Sequence, residues 1–145
     1  MINFEPLTTD IVLDCDSEPR TRFKIRSLRF SDELAIKAAR DAAGALPPSM
    51  LRHLSERWQQ DGQAAKLDDE EQAALDSYVA RATAEEIAVC KSGVLEIDCR
   101  AVTPEEVEQM LDAVPAAMRD KVRTELASKI RGLGAPSPKS ETPSE

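Results

Sequence analysis

Between Thr21 and Leu28 the chain alternates strictly, with Phe23 and Ile25 on one side and Arg22, Lys24 and Arg26 on the other. Only an extended strand sends successive side chains to opposite faces, so this segment predicts a half-buried strand with an apolar inner face and a basic outer one. One strand leaves its backbone unpaired, and partners must come from elsewhere in the chain. Asp10 to Asp16 alternates more loosely, Ile11, Leu13 and Cys15 against Val12, Asp14 and Asp16. The turn-forming run Asp16-Ser17-Glu18-Pro19 follows, so the two segments predict a β-hairpin. Val94 to Cys99 predicts a third strand, with Leu95, Ile97 and Cys99 opposite Val94, Glu96 and Asp98.

The outer faces of the first and third strands are acidic, at Asp14 and Asp16 and at Glu96 and Asp98. Opposite charges on neighbouring strands are favourable by roughly 0.2–1 kcal/mol each. That places the basic strand in the centre, in the order first–second–third. The direction of the third strand stays open.

Helices are expected between and after these strands. Ser31 is a capping residue, Asp32 and Glu33 suit the positive helix end, and Leu34, Ala35, Ala38, Ala39 and Ala42 follow before Gly44. Pro47 and Pro48 mark a break. A second helix over about 49–61 carries Leu51, Leu54 and Trp58, and 62–67 is a polar linker. Asp68 and Glu71 have capping-box spacing before a helix running to about Lys91, whose inner face is read as Leu75, Tyr78, Val79, Ala82, Ile87 and Cys90. Thr103-Pro104-Glu105-Glu106 is the sharpest start signal: a cap, a proline suited to the first turn, and an acid three residues after the cap. Pro115 then separates two apolar stripes, Val107, Met110, Leu111 and Val114 before it and Met118, Val122, Leu126 and Ile130 after it. The fold class is therefore α+β: a small three-stranded sheet packed on one face by about five helices. Residues 1–8 are an irregular lead, 9–132 a single domain, and 133–145 a disordered tail rich in Pro and Ser with nothing to bury.

Composition narrows the chemistry. Leu, Ile, Val and Phe together number 31 of 145, about a fifth, close to the lower limit for a packed fold. A net charge of −8 and only five aromatics argue against nucleic-acid binding by phosphate attraction or base stacking. No apolar run reaches membrane-spanning length, and the first residues have neither a basic segment nor an apolar core of a secretory signal. Cys15, Cys90 and Cys99 are odd in number and lack CxxC spacing, which points to a reducing cytoplasm and to simple packing. Cys15 and Cys99 are read as half-buried strand residues, Cys90 as helix core. One histidine, His53, cannot build a His-rich metal site and is expected on a helix surface. Phosphate-binding and nucleophile-elbow motifs are absent, and the acid pairs at 68–71 and 105–106 fall in first helical turns. No catalytic residue, metal or cofactor is expected, and the protein is read as not an enzyme.

Two surfaces are candidates for partner binding. Arg22, Lys24 and Arg26 would suit an acidic partner, although cross-strand pairing explains them more simply. The stripes Val107, Met110, Leu111, Val114 and Met118, Val122, Leu126 form a helical hairpin at Pro115 that could offer a groove to an amphipathic helix, with Met110 and Met118 as adaptable side chains. Packing of both stripes on the sheet is the competing and stronger reading.

The stretch Arg22-Phe23-Lys24-Ile25-Arg26-Ser27-Leu28-Arg29-Phe30-Ser31-Asp32-Glu33-Leu34-Ala35-Ile36 resembles the opening of the tail-assembly chaperones of long-tailed bacteriophages. In them a short strand reads out into an Arg-x-Leu-x-hydrophobic step and a capped helix follows at once. The resemblance covers residues 8–45, and the remainder in outline through small size, acidity and a polar tail. It implies no catalytic residues. It implies a protein client in the host cytoplasm, the long helical tape-measure protein, whose apolar surface needs shielding before the tail tube forms. Two other readings stand beside it: a phage-encoded inhibitor of a host nuclease or defence complex, which would use clustered surface acids such as Asp68 to Glu71, and a structural head–tail connector subunit, which would form rings.

Overall fold

The computed structural model describes residues 4–45, 48–61 and 67–133. Among the described residues the chain is α+β, with a four-stranded antiparallel sheet and five helices. In chain order the elements are β1 (Thr8–Val12), β2 (Arg22–Arg26), α1 (Phe30–Ala42), α2 (Pro48–Asp61), α3 (Asp69–Gly93), β3 (Val94–Ile97), β4 (Arg100–Ala101), α4 (Pro104–Ala113) and α5 (Ala116–Gly132). Two compact units divide it. The first comprises the chain up to Glu33 and from Glu86 onward, and the second Leu34–Glu85. The expected linker 62–67 (apart from Leu67), Pro47 and the expected tail from Gly134 onward lie outside the described residues.

The first unit contains the whole sheet, in the order β1-β2-β3-β4. The basic strand β2 is flanked by β1 and β3, both antiparallel to it. Lys24 stands opposite Asp10 on one side and Glu96 on the other, and its Nζ lies 3.6 Å from Glu96 Oε2. The charge-pairing argument thus holds at Lys24, but with a different acid on β1.

That difference follows from where β1 ends. It runs Thr8–Val12 and not Asp10 to Asp16. The N–H groups of Asp14 and Cys15 donate to the carboxylate of Glu125 on α5, so they are unavailable to the ladder. Asp16 folds back on its own turn, accepting from Ser17 and Thr21 N–H.

The sheet has four strands, not three. β3 stops at Ile97 because Asp98 and Cys99 take positive φ, 50° and 66°, and reverse the chain in a two-residue turn. Ala101 and Arg100 then pair with Glu96 and Ile97. Cys99 is accordingly an exposed turn residue and Cys15 a half-buried one, neither in a strand. Cys90 is in the core, where burial pushes its thiol up to about 12.

The core of this unit joins Leu13, Phe23, Ile25 and Val94 of the sheet region to Val89 and Cys90 of α3, Val107 and Leu111 of α4, and Leu126, Ala127 and Ile130 of α5. α4 opens on the expected capping box. Thr103 Oγ1 accepts from Glu106 N–H and Glu106 Oε1 accepts from Thr103 N–H. Gly93, the last residue of α3, comes so close to α5 that a Cβ there would sit 2.5 Å from Ile130 Cγ2.

α1 begins at Phe30, one residue before the expected cap at Ser31. Asp32 explains the shift. Its carboxylate accepts from Arg29 N–H, bracing the helix start at Arg29, and both its oxygens meet the Arg26 guanidinium at 2.7 and 3.1 Å.

In the second unit Glu71 is the organising side chain. It is buried, accepts from Asp68 N–H, and meets His53 Nε2 at 2.9 Å and Arg57 at 3.1 Å. Asp68 returns the capping bond to Glu71 N–H. Gly44 closes α1 with φ +153° against Ser77, and Arg81 donates to its carbonyl. The expected inner faces fare differently here. Ile36 is the buried residue of α1, whereas Leu34, Ala35, Ala38 and Ala42 are exposed and Ala39 is half-buried. On α3, Tyr78, Val79 and Ala82 are exposed, Leu75 and Ile87 half-buried, and only Cys90 of the expected face is fully buried. On α2, Trp58 is exposed and Leu54 half-buried. These helices are alanine-rich or amphipathic by sequence, but periodicity names an apolar face without naming what covers it.

Candidate functional site

The hairpin of α4 and α5 turns at Val114-Pro115. Proline cannot donate a helical hydrogen bond, so α4 stops at Ala113 and α5 begins afresh at Ala116. Arg119 stabilises the turn by donating from one guanidinium nitrogen to the carbonyls of Asp112 and Val114, each at 3.1 Å. These are carbonyls at the end of α4, where a basic side chain is favoured by the helix dipole.

Opposite this turn lies the loop between β1 and β2. Glu125 on α5 fixes it by accepting from the N–H groups of Asp14 and Cys15. Burial works to raise the Glu125 carboxyl, but those two backbone donors, together with the Cys15 thiol and the Lys129 charge, hold the group below its ordinary value. The Cys15 thiol is pushed up, first by burial and then by the neighbouring Glu125, so it is not an activated nucleophile.

Between turn and loop is a cleft of about 450 Å³. Leu13, Phe23 and Ile97 line it from the sheet side, and Met110, Val114, Pro115, Met118 and Val122 from the hairpin. Cys15, Asp16, Ser17, Thr21 and Asp98 complete the lining. An apolar lining with a few polar groups is the ordinary make-up of a binding site.

The residues anticipated for partner binding separate into three groups. Met110, Val114, Met118 and Val122 are half-buried and line this cleft together. Val107, Leu111 and Leu126 are 0%, 4% and 0% exposed, so they carry the core and no incoming partner can meet them without unfolding it. Arg22, Lys24 and Arg26 lie outside the cleft lining: Arg22 is exposed, Lys24 pairs with Glu96, and Arg26 is committed to Asp32. The contributions of Leu13, Phe23, Ile97, Asp16 and Asp98 to the cleft were not anticipated. They are far from the hairpin in sequence, and no local spacing could reveal them.

Elsewhere the chemistry is sparse. Among the described residues no group of three or more His, Cys, Asp or Glu side chains is placed to hold a metal ion, and no helix is long and apolar enough to cross a membrane. The run Asp68 to Glu71 is a weaker acidic surface than its sequence suggests, because Glu71 is buried and engaged by His53 and Arg57. Comparison with protein-family models, with curated proteins and with solved structures finds no match to this chain.

Proposed function

We propose that this protein works by binding, as a non-enzymatic tail-assembly chaperone that holds an amphipathic helix of a long helical client, the phage tape-measure protein, in the host cytoplasm. The observation that carries this reading is the cleft at the Pro115 turn, with its half-exposed methionines and valines beside a buried apolar floor. A helix presents apolar anchors at i, i+3 or i+4, and a groove lined from two elements receives such a row. Met110 and Met118 suit a client whose successive helices differ in detail, since unbranched thioether side chains repack at little cost. The acidic balance, −8 overall, suits a carrier that stays dispersed while covering an apolar partner.

The test is recovery of the tagged chain from induced source cells, with Met118→Glu alongside. Co-elution of a very long helix-rich tail protein with the parent chain, and its loss with Met118→Glu at unchanged melting temperature, is the expected result. Recovery of a host nuclease or of a homo-oligomeric ring alone would replace the reading with an inhibitor or a connector subunit.

A further inference from the structure

The cleft has a charge character that its apolar floor does not explain. Its lining includes two carboxylates, Asp16 and Asp98, and no lysine or arginine. Each acid is oriented by backbone donors. Asp16 accepts from Ser17 N–H at 2.9 Å and Thr21 N–H at 2.8 Å, and Asp98 accepts from Arg22 N–H at 2.9 Å. Those bonds hold the side chains in place but leave their charge uncompensated, and among the described residues no ion pair to either is seen. Arg100 borders Asp98 in a neighbouring surface hollow, outside the cleft. Two fixed negative charges beside an apolar wall project a field into the space an occupant would fill.

We infer that the cleft selects a cationic amphipathic helix: apolar anchors seated against Met110, Val114 and Met118, with a Lys or Arg beside them that meets Asp16 and Asp98. This rests on the helix-binding reading above and adds the polarity of the partner. A helix with acids in the same positions is rejected, because it would bring like charges together beside a surface that excludes water. The preference is electrostatic, so it weakens as salt rises, whereas the apolar contribution does not.

Three fluorescent helical peptides of about five turns test this. They share one leucine stripe and carry Lys, Gln or Glu beside it. Binding to the full chain is read by anisotropy at low and raised salt. The expected order is Lys tighter than Gln tighter than Glu, by about fivefold per step at low salt, converging at high salt. Asp98→Asn is the decisive variant. Asn keeps an acceptor for Arg22 N–H and tolerates positive φ, so the turn survives while the charge goes. It should at least halve the Lys-over-Gln preference and leave the Gln peptide unchanged. Equal binding of all three peptides, or a Lys preference untouched by Asp98→Asn, overturns the charge selection while leaving helix binding intact. If no peptide binds, or binding of the Gln peptide survives Met118→Glu, the helix-binding reading itself fails and the selection fails with it.

Discussion

Cys99 sits at φ 66° in the two-residue turn that creates β4, a conformation in which a side chain crowds its own backbone. Asp98, at φ 50°, is better suited, because short polar side chains tolerate this region and its carboxylate is engaged by Arg22 N–H. Cys99→Gly should therefore stabilise the protein by about 0.5–1 kcal/mol, the relief of the crowding outweighing glycine's greater chain entropy. Urea denaturation with an unchanged slope measures it, and a lower midpoint would mean that the thiol makes a contact worth more than the strain. Asp32 gives a second residue-scale prediction. The Arg26 guanidinium, and then Arg29 N–H, hold its carboxyl below the ordinary value against the opposing effect of burial. A group whose folded pKa is depressed stabilises fully above its unfolded pKa of about 4 and loses that contribution as pH falls through the folded value. Glu125 is shifted in the same direction. Stability should therefore fall steadily from about pH 5 toward pH 2, and Asp32→Asn should flatten that fall while lowering stability at neutral pH. A parallel pH profile for the variant would show that the ion pair does not contribute.

Elements were legible where a signal was local and illegible where it depended on a distant neighbour. Thr103-Pro104-Glu105-Glu106 names both ends of a reciprocal capping bond within four residues, and α4 begins there with both bonds formed. The strict alternation around Phe23 and Ile25 likewise located β2 and its inner face. β1 was misplaced by about two residues at its start and four at its end, because Glu125, more than a hundred residues away, takes the N–H groups of Asp14 and Cys15. β4 was missed because two residues carry no periodicity, and Asp-Cys is not the Asn-Gly or Asp-Gly pair that announces such a turn. The cleft was half legible, its helical wall readable as stripes and its sheet wall not readable at all. Gly93 belongs to this scale too, since it lets α5 lie against the α3–β3 junction. Gly93→Ala should cost about 1–3 kcal/mol, because the added methyl group meets three side-chain carbons of buried Ile130. A variant as stable as the parent would mean that α5 can move away from the junction without loss.

Among the described residues the buried apolar side chains are unevenly distributed. Of the twelve buried apolar residues among those described, Ile36 alone belongs to Leu34–Glu85, and the other eleven lie in the sheet-containing unit. Stability varies locally with buried apolar contact, so amide protons of β2, α4 and α5 should exchange only through global opening, while those of α2 and the first half of α3 exchange through smaller fluctuations. Polar contacts link the described helices within Leu34–Glu85. Glu71 joins α2, through His53 and Arg57, to the start of α3, and it does so as a buried acid satisfied on several sides. Removing it abolishes the capping bond to Asp68 N–H and the ion pair that Glu71 makes with Arg57, a change that for a buried acid costs more than a surface ion pair. Glu71→Ala should accelerate exchange across Pro48–Asp61 and the first turns of α3 at least tenfold, with β2 and α5 within twofold of the parent chain, corresponding to a loss of about 1.4 kcal/mol confined to one unit. Hydrogen-exchange mass spectrometry resolves these segments. Uniform acceleration over all of them would instead show that the two units open as one cooperative body.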